Sequence, residues 1–279
     1  MKNKLYDETA LACSKLITQA YSTSFTLGIK TLHKRFHLPI YAVYGFVRYA
    51  DEIVDTFHGF DKAMLLKRFK EDTYRAIAEK ISLNPVLHSF QLVVNQYHID
   101  HELIEAFLYS MELDLLEKAY TQEGYQAYIY GSAEVVGLMC LRIFCEGDFL
   151  MYDTLKESAQ KLGAAFQKVN FLRDMRSDFW ERGRTYFPQI DFQTFDQSTK
   201  KAIEADIIQD FDAAYQGILN LPKGARLGVY LAYIYYKKLL KKITKLPVQS
   251  ILNKRVRVSD SRKMTLWLQS YVKYKLNYI

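Results

Sequence analysis

QKVNFLRDMRSDFWERGRTYFP, at residues 167–188, places oxygen-bearing side chains at a regular spacing. Read as a helix, it aligns Asn170, Asp174 and Asp178 at four-residue steps along one face. Such a face can hold a hard cation. The same stretch also contains arginines that would pair with the aspartates on an ordinary solvated surface. Taken alone, the pattern leaves both interpretations open.

A second stretch of the same kind, FVRYADEIVD, occupies residues 46–55. Asp51 and Asp55 are again four residues apart, and Tyr44 and Arg48 precede them on the same predicted helix face. Carboxylates, an arginine and a tyrosine make a poor core surface but a suitable wall for a polar pocket. Two acidic helix faces far apart in sequence predict one shared cavity that holds several Mg²⁺ ions together with substrate phosphate oxygens.

The composition favours an all-α globular protein. The 279 residues are 49% apolar, enough for a substantial core. Apolar residues recur mostly at three- and four-residue spacings, and no series of alternating strands is present. No internal repeat and no long polar linker divides the chain, so residues 1–279 are predicted to form a single domain.

The spacing predicts a first helix over residues 6–30, which includes the hydroxyl cluster of YSTSF at residues 21–25. These hydroxyls either cap a helix or hold a phosphate oxygen. A basic turn at residues 33–37 leads to Pro39, a suitable first-turn residue for a helix over residues 40–56. Further helices are predicted at residues 62–81, 86–97 and 102–120.

Charge and cysteine usage bear on location and partners. The three cysteines show no metal or redox spacing, no signal peptide is evident, and no apolar run is expected to span a bilayer, so a cytoplasmic protein is predicted. From residue 221 onward, fourteen lysines and arginines face one acidic residue, Asp260, for a net charge of +13. The other 220 residues carry −6 of the total +7. The basic segment adds the option of peripheral attachment to the inner face of an anionic membrane.

Four segments together resemble the squalene and phytoene synthase family of head-to-head prenyl transferases. They are YSTSF, YGFVRYADEIVD, NFLRDMRSDFWERGRTYFP and RVRVSDSRK, and the resemblance extends over about residues 21–264. It implies an isoprenoid-synthase-type helical domain around a central cavity. It also implies Mg²⁺, with Mn²⁺ as an alternative, bound by Asp51, Asp55, Asp174 and Asp178 with assistance from Asn170.

The resemblance assigns further roles position by position. It implies diphosphate contacts for Ser22, Ser24, Arg48 and Arg262. It implies catalytic roles for Tyr44, Arg48, Tyr130, Gln167 and Tyr235. Glu134 departs from the family pattern, which often has a small residue there, and Arg182 and Arg184 receive no role.

The amino-acid sequence of the first acidic motif, YGFVRYADEIVD, resembles that of bacterial phytoene synthases most. The expected reaction joins two C20 geranylgeranyl diphosphates through a cyclopropyl intermediate to give phytoene. The alternative is condensation of two C15 farnesyl diphosphates to squalene or dehydrosqualene, with NADPH required only for squalene. The sequence leaves the oligomeric state open.

Two other hypotheses were weighed. A non-catalytic helical protein could use the basic segment to bind nucleic acid or an anionic membrane, but it would have no use for two spaced pairs of aspartates. A head-to-tail prenyl transferase or a terpene cyclase would share the acidic helix faces but fits R-G-R-x-Y-x-P poorly. Prenyl diphosphates, and no nucleic acid, are therefore the expected partners.

Overall fold

A computed structural model describes residues 3–116, 119–181, 183–188, 195–276 and 278. The regular elements of this part are helices, which confirms the all-α prediction, and one isolated β-bridge pairs Ala119 with Thr185. A π-helical turn, Tyr130–Glu134, lies between two α-helices. The α-helices are α1 Lys4–Tyr21, α2 Thr23–Thr31, α3 Lys34–Asp55, α4 Lys62–Glu79, α5 Pro85–Tyr97, α6 His101–Leu116, α7 Gln122–Ile129, α8 Val135–Cys145, α9 Phe149–Trp180, α10 Gln197–Asn220, α11 Lys223–Thr244, α12 Val248–Asn253 and α13 Asp260–Lys275.

The helices bury two apolar clusters. One lies among α3, α5, α6 and α8, where the rings of Phe46 and Phe90 stack 3.9 Å apart. The other lies among α9, α10 and α11, where Phe171 stacks on Tyr186 at 4.2 Å and Phe211 is fully buried. Val229 of α11 packs against both clusters. The 32-residue helix α9 packs against α8 and α10 and so connects the two halves of the core.

The prediction of one helix over residues 6–30 is wrong at Ser22. Ser22 is extended, with φ −146° and ψ 104°, and separates α1 from α2. Its Oγ accepts a hydrogen bond from Phe25 N at 3.2 Å, which caps α2. The serine hydroxyl offers the backbone an alternative to the continuous helix, and the chain uses it.

The predicted turn at residues 33–37 is also wrong, because α3 begins at Lys34 and Pro39 lies inside it. Proline there removes one backbone hydrogen bond from the helix. Two local features offset that loss. His33 caps the helix, its Nδ1 accepting from Arg35 N, and Phe36 is completely buried in the core.

The charged stretch at residues 167–188 is helical only as far as Trp180. Gly183 has φ +66°, a left-handed conformation that glycine adopts without strain, so the chain turns there as predicted. Arg184 then donates its backbone N–H to the Asp178 carbonyl oxygen at 2.8 Å. Arg182 lies outside the described residues.

The small residues around the π-helical turn allow close helix packing. A Cβ atom added at Gly131 would lie 2.4 Å from the Ala106 carbonyl oxygen, and one at Gly163 would lie 2.7 Å from the Ala133 carbonyl oxygen. Glu134 sits at this contact and accepts a hydrogen bond from Gln160 Nε2 at 3.2 Å. The acidic departure from the family pattern therefore has a polar partner on α9.

One helical stretch of the described chain, Gln122–Cys145, is long and apolar enough to cross a membrane by length and composition. The expectation that no segment meets this criterion is corrected accordingly. Over the 18-residue apolar window of this stretch, 56% is buried inside the fold, and the stretch packs against α6 and α9. Burial of that kind is typical of a core helix.

Candidate active site

A cavity of about 1010 Å³ lies between α2, α3, α8, α9, α10, α11 and α13. Its volume and apolar walls suit long hydrocarbon chains. The wall residues include Leu32, Val43, Val136, Leu141, Phe144, Leu155, Leu162, Ile218 and Leu231. Residues from both acidic stretches reach this cavity. The predicted site residues along its lining are Ser22, Ser24, Tyr44, Asp51, Gln167, Asn170 and Tyr235.

The other predicted residues lie outside this lining: Arg48, Asp55, Tyr130, Asp174, Asp178 and Arg262. Tyr130 is 36% exposed in the π-helical turn, and Arg262 is exposed on α13. Asp178 is buried. Arg48, Asp55 and Asp174 take part in ion pairs with other charged residues.

The α3 wall combines charge with aromatic surface. Arg48 pairs with Glu52 and approaches Asp51 at 3.9 Å, and its guanidinium lies 4.3 Å from the centre of the Tyr21 ring. Burial raises the pKa of Tyr44, while Arg48 and a hydrogen bond with Ser22 oppose the rise. Tyr44 therefore presents a neutral hydroxyl to the cavity at physiological pH.

The α9 wall is tied to α11. Tyr236 donates a hydrogen bond to Asn170 Oδ1 at 3.2 Å, and its ring stacks on Phe166 at 4.1 Å. Asn170 Nδ2 in turn donates to Gln167 Oε1 at 3.4 Å. The amide oxygens of both residues are thereby fixed in orientation at the cavity wall.

Asp174 is held by two arginines that line the cavity. Arg255 Nε lies 2.8 Å from Asp174 Oδ1, and Arg173 Nε lies 3.0 Å from the same oxygen. The Arg173 pKa is raised by its hydrogen bonds and charge contact with Asp174, which outweigh burial. The two arginines place positive charge at the rim, where an anionic substrate group would lie.

Asp55 connects to a buried polar network through Arg184. Arg184 Nη1 lies 3.1 Å from Asp55 Oδ1 and 3.5 Å from Asp114 Oδ2. Asp114 also accepts hydrogen bonds from Tyr128 at 2.7 Å and from Tyr186 at 3.2 Å. Burial raises the pKa of the Asp114 carboxyl, while Arg184 and both hydroxyls oppose the rise. Arg184 thus bridges the end of α3 to the interior.

Sequence reasoning missed Arg255, Tyr236 and Asp114. Arg255 stands in the quoted RVRVSDSRK segment, so its basic character is a usable signal, as it is for Arg262. Tyr236 directly follows Tyr235, and the resemblance alone does not separate the two. Asp114 carried no signal, because its partners come from three other parts of the chain.

The donor chemistry of the two acidic helices fits Mg²⁺. Asp51 and Asn170 offer carboxylate and amide oxygens to the same cavity, and these are hard ligands. Among the residues that the structure describes, no group of three or more His, Cys, Asp or Glu side chains forms a metal-binding cluster. Magnesium needs only one or two carboxylates when water and phosphate oxygens complete its shell, so a substrate-completed site agrees with this arrangement.

Comparison with known proteins identifies the family. The sequence model described as squalene/phytoene synthase matches residues 18–262. The chain belongs to the squalene/phytoene synthase family. Members of this family are enzymes that carry out head-to-head prenyl transfer on prenyl diphosphates in isoprenoid and carotenoid biosynthesis.

Individual relatives of this squalene/phytoene synthase family member differ in product. The 4,4'-diapophytoene synthase of Staphylococcus haemolyticus is 24% identical over 93% of this chain and 95% of its own length. The 15-cis-phytoene synthase of a Synechocystis strain is 26% identical over 95% of this chain and 86% of its own. A crystal structure of a dehydrosqualene synthase superposes with a TM-score of 0.80 at 21% identity over 99% of both chains. That match confirms the predicted isoprenoid-synthase-type fold.

Proposed function

We propose that this protein is an Mg²⁺-dependent phytoene synthase that condenses two geranylgeranyl diphosphates head to head. The observation that carries the proposal is the cavity of about 1010 Å³, with apolar walls and with Asp51, Asn170, Arg173 and Arg255 along its lining. Prenyl chains would occupy the apolar volume and their diphosphates would lie against the charged residues. A cytoplasmic location remains a prediction.

Two bonds to diphosphate must break for the product to form. In the first step, C1 of one substrate loses diphosphate and bonds to the C2–C3 double bond of the other, and loss of a proton closes the cyclopropane. In the second, the remaining diphosphate leaves, the ring rearranges and a second proton is lost, giving phytoene. When bound, Mg²⁺ would supply Lewis-acid neutralisation of the leaving diphosphates.

The chain's own residues position these groups and protect the cations. Arg173 and Arg255 place positive charge beside Asp174, at the part of the lining where we place a diphosphate. Tyr44, Tyr235 and Tyr236 present aromatic surface to the cavity, and the negative faces of such rings attract a carbocation. The apolar walls exclude water that would otherwise capture the cation.

Condensation of two farnesyl diphosphates is the second candidate. The similarity to a diapophytoene synthase over nearly the whole chain favours it. The same cavity and charged residues serve either chain length, and NADPH would be required only if the product were squalene.

Product analysis tests the proposal. Purified protein is incubated with Mg²⁺ and either C15 or C20 diphosphates, with and without NADPH, and the hydrocarbons are identified by mass spectrometry. Phytoene from the C20 substrate without NADPH is the expected result. A C30 hydrocarbon formed in preference would establish the second candidate, and no hydrocarbon from either substrate would contradict both.

A further inference from the structure

The inner face of helix α13 packs against the rest of the protein. Leu266 and Ser270 are buried, and Lys263 and Leu266 line the cavity. Tyr274 Oη fastens the helix to α11 by donating to the Lys223 carbonyl oxygen at 3.1 Å. The inner face is therefore part of the fold.

The outer face of α13 is apolar and exposed. Met264, Leu268, Tyr271 and Val272 follow a spacing of four, seven and eight residues, so they lie on one side of the helix. Their exposed fractions are 55%, 56%, 39% and 46%. We call these four residues the α13 stripe. Its helical spacing sets it apart from the isolated apolar residues found on most surfaces.

Positive charge is present on the same helix as the α13 stripe. Lys275 lies on the stripe's side of the helix, with its ammonium 5.6 Å from the centre of the Tyr271 ring, whereas Arg262 and Lys273 are exposed on another side. Ion pairs of the segment from residue 221 onward include those of Lys237 with Asp212 and of Arg255 with Asp174. The pKa of Lys238 is lowered, first by the charge of Arg262 and then by weaker contributions that include Lys241. Cations are thus crowded at this surface.

We propose that the α13 stripe, with Lys275 on the same side of the helix, docks this protein onto an anionic lipid surface. An amphipathic helix with apolar residues on one side and Lys or Arg alongside binds at the headgroup boundary of a bilayer. The net charge of +13 from residue 221 onward, against −6 for the rest, orients the molecule with this segment toward negative headgroups.

Charge argues against the other occupants of this face. A second copy would bring two segments of +13 together, and that repulsion disfavours a dimer through α13. A nucleic acid would use the cations but would leave the aliphatic side chains of Leu268 and Val272 without a role. A bilayer satisfies both the charge and the apolar area.

Docking through α13 would place the proposed activity at a membrane surface. Because α13 contributes Lys263 and Leu266 to the cavity wall, a docked α13 would place the lipid phase next to the site. A prenyl substrate carries a long apolar chain and the product is a hydrocarbon, so this placement would shorten their path between membrane and cavity.

Vesicle sedimentation of the full chain tests the proposal. Wild-type protein should sediment with vesicles of phosphatidylcholine mixed with phosphatidylglycerol, less with phosphatidylcholine alone, and less as salt is added. Leu268→Ser/Val272→Ser should bind about tenfold more weakly, because it removes apolar area from the interface. Lys275→Gln should bind about fivefold more weakly at low salt, because it removes a cation on the stripe's side of the helix.

Matched controls carry the same substitutions elsewhere. Leu83→Ser/Leu150→Ser replaces two leucines that are 94% and 79% exposed, and Lys67→Gln replaces an exposed lysine of α4; both should bind like wild type. Product formation from detergent-dispersed substrate should persist in the α13 variants, which separates this test from the proposed function.

Three results would overturn the docking proposal. They are failure of wild-type protein to bind mixed vesicles, equal binding by the α13 variants and the controls, and a dimer in light scattering that Leu268→Ser/Val272→Ser converts to a monomer.

Discussion

Asp51 is the one carboxylate among the described residues that line the cavity. We expect Asp51→Asn to lower kcat about a hundredfold or more, because it removes a negative oxygen donor where charge on the leaving diphosphate must be balanced. The measurement is product formation from geranylgeranyl and farnesyl diphosphates under saturating Mg²⁺.

The matched control is Asp212→Asn, which changes an exposed aspartate of α10 that pairs with Lys237. Both variants should retain the far-UV circular dichroism of the wild type. Equal turnover by the two variants would remove Asp51 from the proposed metal site.

Glu134 gives the folded protein a pH dependence. Burial, before any other cause, raises its pKa above the ordinary carboxyl value, while Lys161 opposes the rise. The folded state then holds this proton when the unfolded state has lost it, so the free energy of unfolding falls as the pH rises from about 4.3 through the higher folded pKa. Glu134→Gln should therefore be more stable than wild type at pH 7 by more than at pH 4.

Urea denaturation at both pH values measures this difference. A glutamine at position 134 keeps an amide oxygen to accept from Gln160, so the partner on α9 is preserved. Glu157→Gln, at an exposed position of α9, is the control and should show no such gain. A stability difference independent of pH would contradict the assignment.

Helical spacing predicts which residues share a helix face. It does not predict which residues from distant parts of the sequence come into contact. The spacing of Asp51 with Tyr44 placed both correctly on one face of α3, because helical periodicity alone sets that relation. Arg255 reaches Asp174 across 81 positions of sequence, and Arg184 reaches Asp55 across 129. A single sequence contains no periodicity that reports such pairs.

At the scale of elements, the contact between the π-helical turn and α6 depends on Gly131. We expect Gly131→Ala to lower the free energy of unfolding by about 1–3 kcal/mol, because the added Cβ would lie 2.4 Å from a carbonyl oxygen and 2.7 Å from Ser110 Cβ. Thermal and urea unfolding of the purified variant check this.

Gly28→Ala is the matched comparison, since nothing lies within 4 Å of a Cβ added there and Gly28 is inside α2. Alanine should stabilise that helix by about 0.5–1 kcal/mol. Equal effects of the two substitutions would show that close packing does not govern Gly131.

The two wrong boundaries near the N-terminus have local physical causes. Apolar periodicity continues across Ser22, but its hydroxyl caps α2 and the backbone becomes extended. Pro39 suggested a helix start, yet burial of Phe36 extends α3 to the N-terminal side. In both cases the hydrophobic pattern located the helices, while capping and core packing set their ends.

At the scale of the whole molecule, the all-α class followed from periodicity, whereas the cavity followed from how many of the helices meet. Of the two acidic faces expected on one cavity, the first contributes Asp51 to the lining and the second contributes the amide Asn170, while Asp55, Asp174 and Asp178 lie outside it. Asp55 and Asp174 instead pair with arginines, which the helix pattern alone does not specify.

The cavity lining predicts that Mg²⁺ and diphosphate stabilise the folded protein more together than separately. With no cluster of three acidic, His or Cys side chains in the described chain, Mg²⁺ alone should bind weakly, and diphosphate alone would meet the Asp51 carboxylate with no cation between the two. Together they should satisfy one another, because phosphate oxygens complete the metal shell. We expect the rise in Tm with Mg²⁺ and inorganic diphosphate combined to exceed the sum of the separate rises.

Ligand bound at a hundred times its Kd adds about 2.7 kcal/mol to the free energy of unfolding. For a chain of this size that corresponds to a rise in Tm of roughly 5 °C or more. Differential scanning fluorimetry measures the four conditions, and Asp212→Asn should reproduce the wild-type result while Asp51→Asn loses the excess. Additive rises in wild-type protein would mean that metal and diphosphate bind independently, and the shared site around Asp51 would then be wrong.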